Sequence, residues 1–190
     1  MEPVNLQTDR LTLRALGEED IPAVHLACQD EQLQRYVPVP SPYLYEHAES
    51  FVREASPAGW REETMLNLGA FTRDGGDLVS SVGIALRQPR AEAVAEVGYW
   101  TAKQHRGNGY TTEAVIALCR WGFAELGLQR IEWLAITGND SSWAVAERAG
   151  FTLEGTLRSR LLHRGERQDA WIGSLLPTDL ELELDGSGGR

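Results

Sequence analysis

The sequence predicts an α+β fold with an antiparallel centre. Three observations predict it. Two-residue hydrophobic alternation recurs in segments separated by turn residues, the stretch from Tyr110 to Gly127 carries helical periodicity instead, and alternation returns around Arg164-Gly165-Glu166. With 190 residues, 42% of them hydrophobic, the chain suits one globular domain or a domain with a small appendage.

Leu11 and Leu13 alternate with polar neighbours across 10–16, the pattern of a half-buried strand. Glu18-Glu19-Asp20 then loads acid into a first helical turn, and Ile21, Val24, His25 and Cys28 follow at helical spacing. Pro38, Pro40 and Pro42 make 37–42 a loop, because each proline fixes φ and removes a donor. A second helix is predicted over 44–55. Segments 65–72 and 78–87 read as strands flanking Asp74-Gly75-Gly76-Asp77, whose glycines supply the positive φ of a tight turn. A third strand over 91–101, with Val94, Val97, Tyr99 and Trp100, extends the meander. Val115, Leu118, Cys119, Gly122, Phe123 and Leu126 then recur as one face of a helix that ends near Gly127. Ile131 opens a short apolar strand over 131–136, and 142–149 forms a short helix with Val145, Ala146 and Ala149 inward. Segments 153–162 and 168–176 close the domain as a hairpin. The glycine-rich tail 185–190 cannot bury apolar area and is expected to be disordered.

Composition excludes several classes of function. The formal charge of −10 repels a phosphate backbone, so nucleic-acid binding is disfavoured and a cationic substrate mildly favoured. The chain has no run of the ~20 apolar residues a membrane span needs, and Met1-Glu2-Pro3-Val4-Asn5 lacks a signal peptide's basic and apolar runs. A cytoplasmic protein is expected. Cys28 and Cys119 lie far apart, and His25, His47, His105 and His163 show no metal spacing, so no metal is predicted.

The most informative stretch runs from Glu96 through Gly98-Tyr99-Trp100-Thr101 and Gln104-His105-Arg106-Gly107-Asn108-Gly109 to Tyr110, Thr111 and Glu113. It places a strand, a glycine-containing loop and a helix start in that order. Gly107 and Gly109 free the backbone so that successive N–H groups can point at one anion, and the helix adds its positive end. The ending differs from the Gly-Lys-Ser/Thr of a Walker loop, and the loop lacks the third glycine of a dinucleotide fingerprint.

Gln104-His105-Arg106-Gly107-Asn108-Gly109 resembles the acetyl-CoA pyrophosphate loop of the GNAT acetyltransferase superfamily. Three further segments resemble its RimJ/RimL ribosomal-protein N-acetyltransferase branch. They are Leu6-x-Thr8-x-Arg10-Leu11-x-Leu13-Arg14 with Glu19-Asp20, Asn139 through Gly150-Phe151, and the closing hairpin with Thr152-Leu153-Glu154-Gly155. The resemblance implies one GNAT domain over 6–176, a mixed, mainly antiparallel sheet with helices on both faces, and a C-terminal extension over 177–190. It implies an acetyl-CoA-dependent N-acetyltransferase acting on a primary amine, foremost a protein N-terminal α-amino group, by direct attack in a ternary complex. A small-molecule amine such as an antibiotic or polyamine, or an acyl-CoA-binding module without turnover, remain the alternatives, and a homodimer stays open.

By that resemblance, acetyl-CoA lays its pyrophosphate on the amides of Gly107, Asn108, Gly109, Tyr110 and Thr111, with Gln104, His105 and Arg106 as further cofactor-binding residues of the loop, although His105 equally suits a solvent-facing position. Its pantetheine arm runs along Tyr99, Trp100 and Thr101, in a slot made where that strand splays from 131–136, with Asn139 hydrogen-bonding the arm. Asn139 also suits a helix N-cap, and both roles can hold at once. Glu96 matches a family base position, directly or through water, but equally suits a strand-face carboxylate. Glu113, in the first helical turn, reads as structural. The family's usual tyrosine acid falls at Ala146, which excludes it, and Ser142 stands as the alternative donor to the thiolate, with a first-turn hydroxyl as its ordinary use. Tyr36, Tyr43, Tyr45 and Trp60 are expected near the acceptor side.

Overall fold

The computed structural model describes residues 1–87 and 90–180. The tail at 185–190 lies outside them. The sheet strands are β1 (Leu6–Gln7), β2 (Leu11–Arg14), β3 (Met65–Thr72), β4 (Leu78–Leu86), β5 (Val94–Thr101), β6 (Arg130–Ile136), β7 (Thr152–His163) and β8 (Glu166–Leu175). They form one sheet in the order β1-β2-β3-β4-β5-β6-β8-β7, antiparallel except between β5 and β6. The helices are α1 (Ile21–Cys28), α2 (Glu31–Tyr36), α3 (Tyr45–Ser50), α4 (Ser56–Glu62), α5 (Tyr110–Leu126) and α6 (Asp140–Arg148).

Alternation along the strands builds a core on each face. Ala70, Val79 and Tyr99 belong with the α5 side, where Val115, Leu118 and Cys119 are fully buried. Their chain neighbours Phe71, Leu78 and Trp100 pack with Ile21, Val24, Leu33 and Val52 from the helices of the other face. Gly127, at φ +66, ends α5 where a glycine stop was read.

Three elements depart from the sequence reading. The second helix does not stop at Ala55: a π-helical turn, Phe51–Ala55, carries the chain into α4, with Pro57 in the first turn of α4. There the missing proline donor falls at a junction where the hydrogen-bond pattern already shifts. Neither α2 nor β1 was foreseen. α2 buries only Leu33 and depends on Asp30, whose carboxylate accepts from the Leu33 N–H at 3.1 Å.

Trp60 requires a correction. It is 1% exposed in the α5-side core, meets the Trp121 ring at a tilt with centroids 5.9 Å apart, and donates its Nε1–H to the Asn67 carbonyl at 2.8 Å. It does not wall an acceptor pocket, because the continued helix carries it into the core.

Candidate active site

β5 and β6 begin as a parallel pair and then part. Pairing runs from Val94 with Arg130 to Val97 with Trp133. Beyond it β5 stays with β4 as far as Thr101 opposite Ser80, while β6 stays with β8 as far as Ile136 opposite Ala170. The edge of 98–101 that faces β6 is therefore left without a strand neighbour. An extended amide chain can pair there.

A cleft of about 560 Å³ opens at this divergence. Tyr99, Trp100, Thr101, His105, Arg106, Gly107, Asn108, Gly109, Tyr110, Thr111, Asn139 and Ser142 all line it. These are the predicted cofactor residues with two differences: Ser142 joins them from the catalytic pair, and Gln104 is not in the lining.

The loop is built for exposed backbone donors. Gly107 and Gly109 sit at φ +80 and +75, where other residues are strained, and a short 3₁₀ turn, Lys103–His105, precedes them. Gly109 caps α5, and its carbonyl accepts from the Glu113 N–H at 3.1 Å. The amides of 110–112 therefore lead the helix without intrahelical acceptors, beside its positive end. Thr101 and Thr111 share a hydroxyl hydrogen bond of 2.6 Å that fixes this helix start to the end of β5. The Arg106 guanidinium is engaged away from the loop, by Asp30, by Gln32 at 3.0 Å and by the Thr101 carbonyl at 3.4 Å.

Across the cleft, Asn139 caps α6. Its Oδ1 accepts from the Ser142 N–H at 3.3 Å and from the Ser141 hydroxyl at 3.1 Å. The Ser142 hydroxyl is free of that capping duty. It accepts from the Trp133 indole N–H at 3.0 Å and donates to the Tyr99 hydroxyl at 3.3 Å, while Tyr99 donates to the Ser142 carbonyl at 2.7 Å. Burial pushes the Tyr99 phenol up, against the Ser142 hydroxyl's hydrogen bond that favours its anion, so it is a neutral hydroxyl at physiological pH.

The second wall comes from α2, through Gln32, Leu33, Tyr36 and Val37. Tyr36 also donates its hydroxyl to the Gly138 carbonyl at 3.2 Å, bridging α2 to the turn before α6. Tyr36 is thus at the cleft, Tyr43 is buried beneath the helices, and Tyr45 is 46% exposed. Sequence reasoning missed Gln32, Leu33, Ala144, Val145 and Arg148 as lining residues. The helical spacing of Val145 from the predicted α6 start was the one available signal.

Residues 10–152 match the Acetyltransferase (GNAT) domain family, three quarters of the chain. The chain belongs to the GNAT acetyltransferase family. It is an N-acetyltransferase of the GNAT type. It is 30% identical over 172 residues to the N-acetyltransferase YoaA of Bacillus subtilis, covering 90% of this chain and 96% of that one. It matches the structure of a candidate ribosomal-protein-serine acetyltransferase from Vibrio cholerae with a TM-score of 0.82 and 29% identity, covering 93% of this chain and all of the other. The ribosomal L7/L12 α-N-protein acetyltransferase RimL, in complex with coenzyme A, shares the fold at a TM-score of 0.79 and 22% identity, over 91% and 98% of the two chains.

Within this GNAT fold, Glu96 stands apart from the cleft lining. It is on the β5 face shared with Gly98 and Trp100, opposite the Tyr99 face. Arg87 donates to its carboxylate at 3.2 Å and lies 2.7 Å from Glu132 Oε2, the latter an ion pair without hydrogen-bond alignment. Glu132 is also held by Arg130, which binds Glu154. Gly98 between Glu96 and Trp100 is exposed, with open space where a Cβ would be. Among the described residues of this GNAT chain, no group of three or more His, Cys, Asp and Glu side chains is placed to hold a metal ion.

Proposed function

We propose that the chain transfers the acetyl group of acetyl-CoA to a primary amine, foremost the α-amino group of a protein N-terminus, by direct attack in a ternary complex. The observation that carries this reading is the parting of β5 from β6 beside the Gly107–Gly109 loop. It supplies an unpaired strand edge for an amide-bearing arm and a row of donors for a pyrophosphate. We assign the acetyltransferase domain to 6–176.

The proposed roles follow from position. The amides of 107–111 hold the pyrophosphate, with His105 flanking, while Tyr99, Trp100, Thr101 and Asn139 hold the arm. The acceptor approaches along the opposite face, across Gly98. Glu96, on that face, takes the proton from the incoming ammonium directly or through water. The attacking nitrogen sheds its second proton to solvent, Ser142 gives its proton to the departing thiolate as the carbon–sulfur bond breaks, and water returns a proton to the serine, while the neutral Tyr99 hydroxyl holds Ser142 in place. An α-amine, with a pKa of about 7.7–8.0 against about 10.4 for lysine, needs only a modest base. The description of the Vibrio cholerae neighbour supports a protein acceptor.

The test is thiol release from acetyl-CoA in the presence of N-terminal peptides, N-blocked lysine peptides and small amines. Turnover greatest with free N-terminal peptides supports the proposal. Turnover greatest with the lysine peptides, or confined to small amines, assigns the site to that acceptor class instead.

A further inference from the structure

The opening segment holds the cofactor loop more firmly than a short edge strand requires. Between β1 and β2, Thr8 donates its hydroxyl to Glu113 in the first turn of α5. The Arg10 backbone N–H reaches the same carboxylate at 3.1 Å, and Arg10 Nε reaches it at 2.6 Å. Arg10 Nη1 then donates to the Asn108 carbonyl at 2.9 Å, and the guanidinium carbon lies 4.7 Å from the centre of the Tyr110 ring. A single arginine thus grips positions 108, 110 and 113 on both sides of the helix start. Its base is fixed in turn: the Arg73 N–H binds the Arg10 carbonyl at 2.9 Å and its guanidinium binds the Thr8 carbonyl at 3.1 Å.

The Asn108 carbonyl decides what this grip does. In a planar trans peptide the C=O of one residue and the N–H of the next point in opposite directions. Holding the Asn108 oxygen toward Arg10 therefore turns the Gly109 N–H away from Arg10, and it removes an acceptor lone pair from the anion's side. The 108–109 peptide turns about ψ of Asn108 and φ of Gly109, and a glycine has other φ values open to it, so the backbone alone does not fix this choice. Arg106, the loop's own arginine, cannot fix it, because its guanidinium is committed to α2.

We propose that Arg10 is a positioning residue that sets the orientation of the 108–109 peptide and thereby the affinity of the loop for the cofactor pyrophosphate. This rests on the reading of the loop as the acetyl-CoA site. Glu113 is the anchor of the grip: burial works to raise its carboxyl, but the hydrogen bonds from Thr8 and Arg10 outweigh it and keep it charged.

The experiment measures coenzyme A binding by calorimetry, with KM and kcat for acetyl-CoA, in the natural chain, Arg10→Ala, Arg10→Lys and the double variant Arg10→Ala/Glu113→Gln. Arg10→Ala is expected to weaken coenzyme A binding and raise KM at least tenfold, with a much smaller change in kcat. Arg10→Lys restores the charge but not the two-pronged geometry, so it should fall between the two. The double variant should stay as weak as Arg10→Ala, since removing the carboxylate charge does not restore the peptide orientation. Recovery of affinity in the double variant would overturn the proposal in favour of simple charge relief, as would an Arg10→Ala chain that binds normally. If Arg10→Ala does not fold, Arg10→Lys carries the same comparison, and an affinity equal to the natural chain's overturns the proposal. A natural chain that binds no coenzyme A would instead overturn the assignment of the loop itself.

Discussion

The Trp133 indole N–H donates to the Ser142 hydroxyl oxygen across 3.0 Å, which leaves the serine proton as the mobile end of the contact. Trp133 is buried and packs against Trp143 at 5.4 Å, so the donor is rigid. A hydroxyl held by a fixed donor can swing its proton only toward Tyr99 or toward a group entering the cleft.

Ser142→Ala should therefore lower turnover by about 100-fold, a common scale for general acid catalysis, with coenzyme A affinity nearly intact. Steady-state rates at saturating acetyl-CoA check this. Near-normal turnover would leave the hydroxyl as a packing group and make water the donor.

Gly109→Val addresses the loop. At φ +75 a β-branched residue is strained, and the valine side chain would start 3.6 Å from Arg10 Nη2. Coenzyme A binding should weaken by ~1–3 kcal/mol, read by calorimetry on a variant whose circular dichroism matches the natural chain. Equal affinity would remove the loop from the site.

Glu96→Gln tests the base. The variant keeps the shape and much of the Arg87 hydrogen bond but loses the acceptor charge. Its rate should fall most at pH values below the pKa of the amine and recover partly above it, where solvent has already taken the proton. A pH–rate profile from 6 to about 10 reads the difference, and an α-amine acceptor should recover at lower pH than a lysine. A loss of equal size at every pH would make Glu96 a positioning group for its neighbours.

Asp30 links the loop to α2, and its ionisation links that contact to pH. Burial works to raise its carboxyl, but the Arg106 guanidinium and the Leu33 N–H outweigh it and hold it below the usual carboxylate range. The stabilisation it gives is therefore present above the ordinary aspartate pKa of about 3.9 and lost as pH falls through the lower folded value. Asp30→Asn should cost ~1–3 kcal/mol at pH 7 in urea denaturation, with the gap narrowing below about pH 4. A gap that stays constant to pH 3 would contradict the assignment.

The strands after β1, and α5, were legible because their burial follows one period along each element, and the glycine at 127 marks the stop of α5. The Gly107–Gly109 loop was legible because glycines between a strand and a helix imply a particular backbone. What was hidden depends on tertiary partners. α2 has one buried residue and is held by a cap and by Arg106, whose partner is 76 positions away. Trp60 was misplaced because helix continuation through a π turn cannot be read from a Ser56-Pro57 pair. The Trp133 contact to Ser142 joins a strand to a helix nine residues on, and only the turn at Gly138 brings them together.

The measurement closest to the central claim uses acetyl-CoA and a peptide bearing one free α-amine and one lysine, with the acetyl group located by fragment mass spectrometry. The account predicts rapid enzyme-dependent acetylation at the α-amine while the lysine stays free. Acetyl found on the lysine, or an unmodified peptide beside full turnover of a small amine, would contradict it.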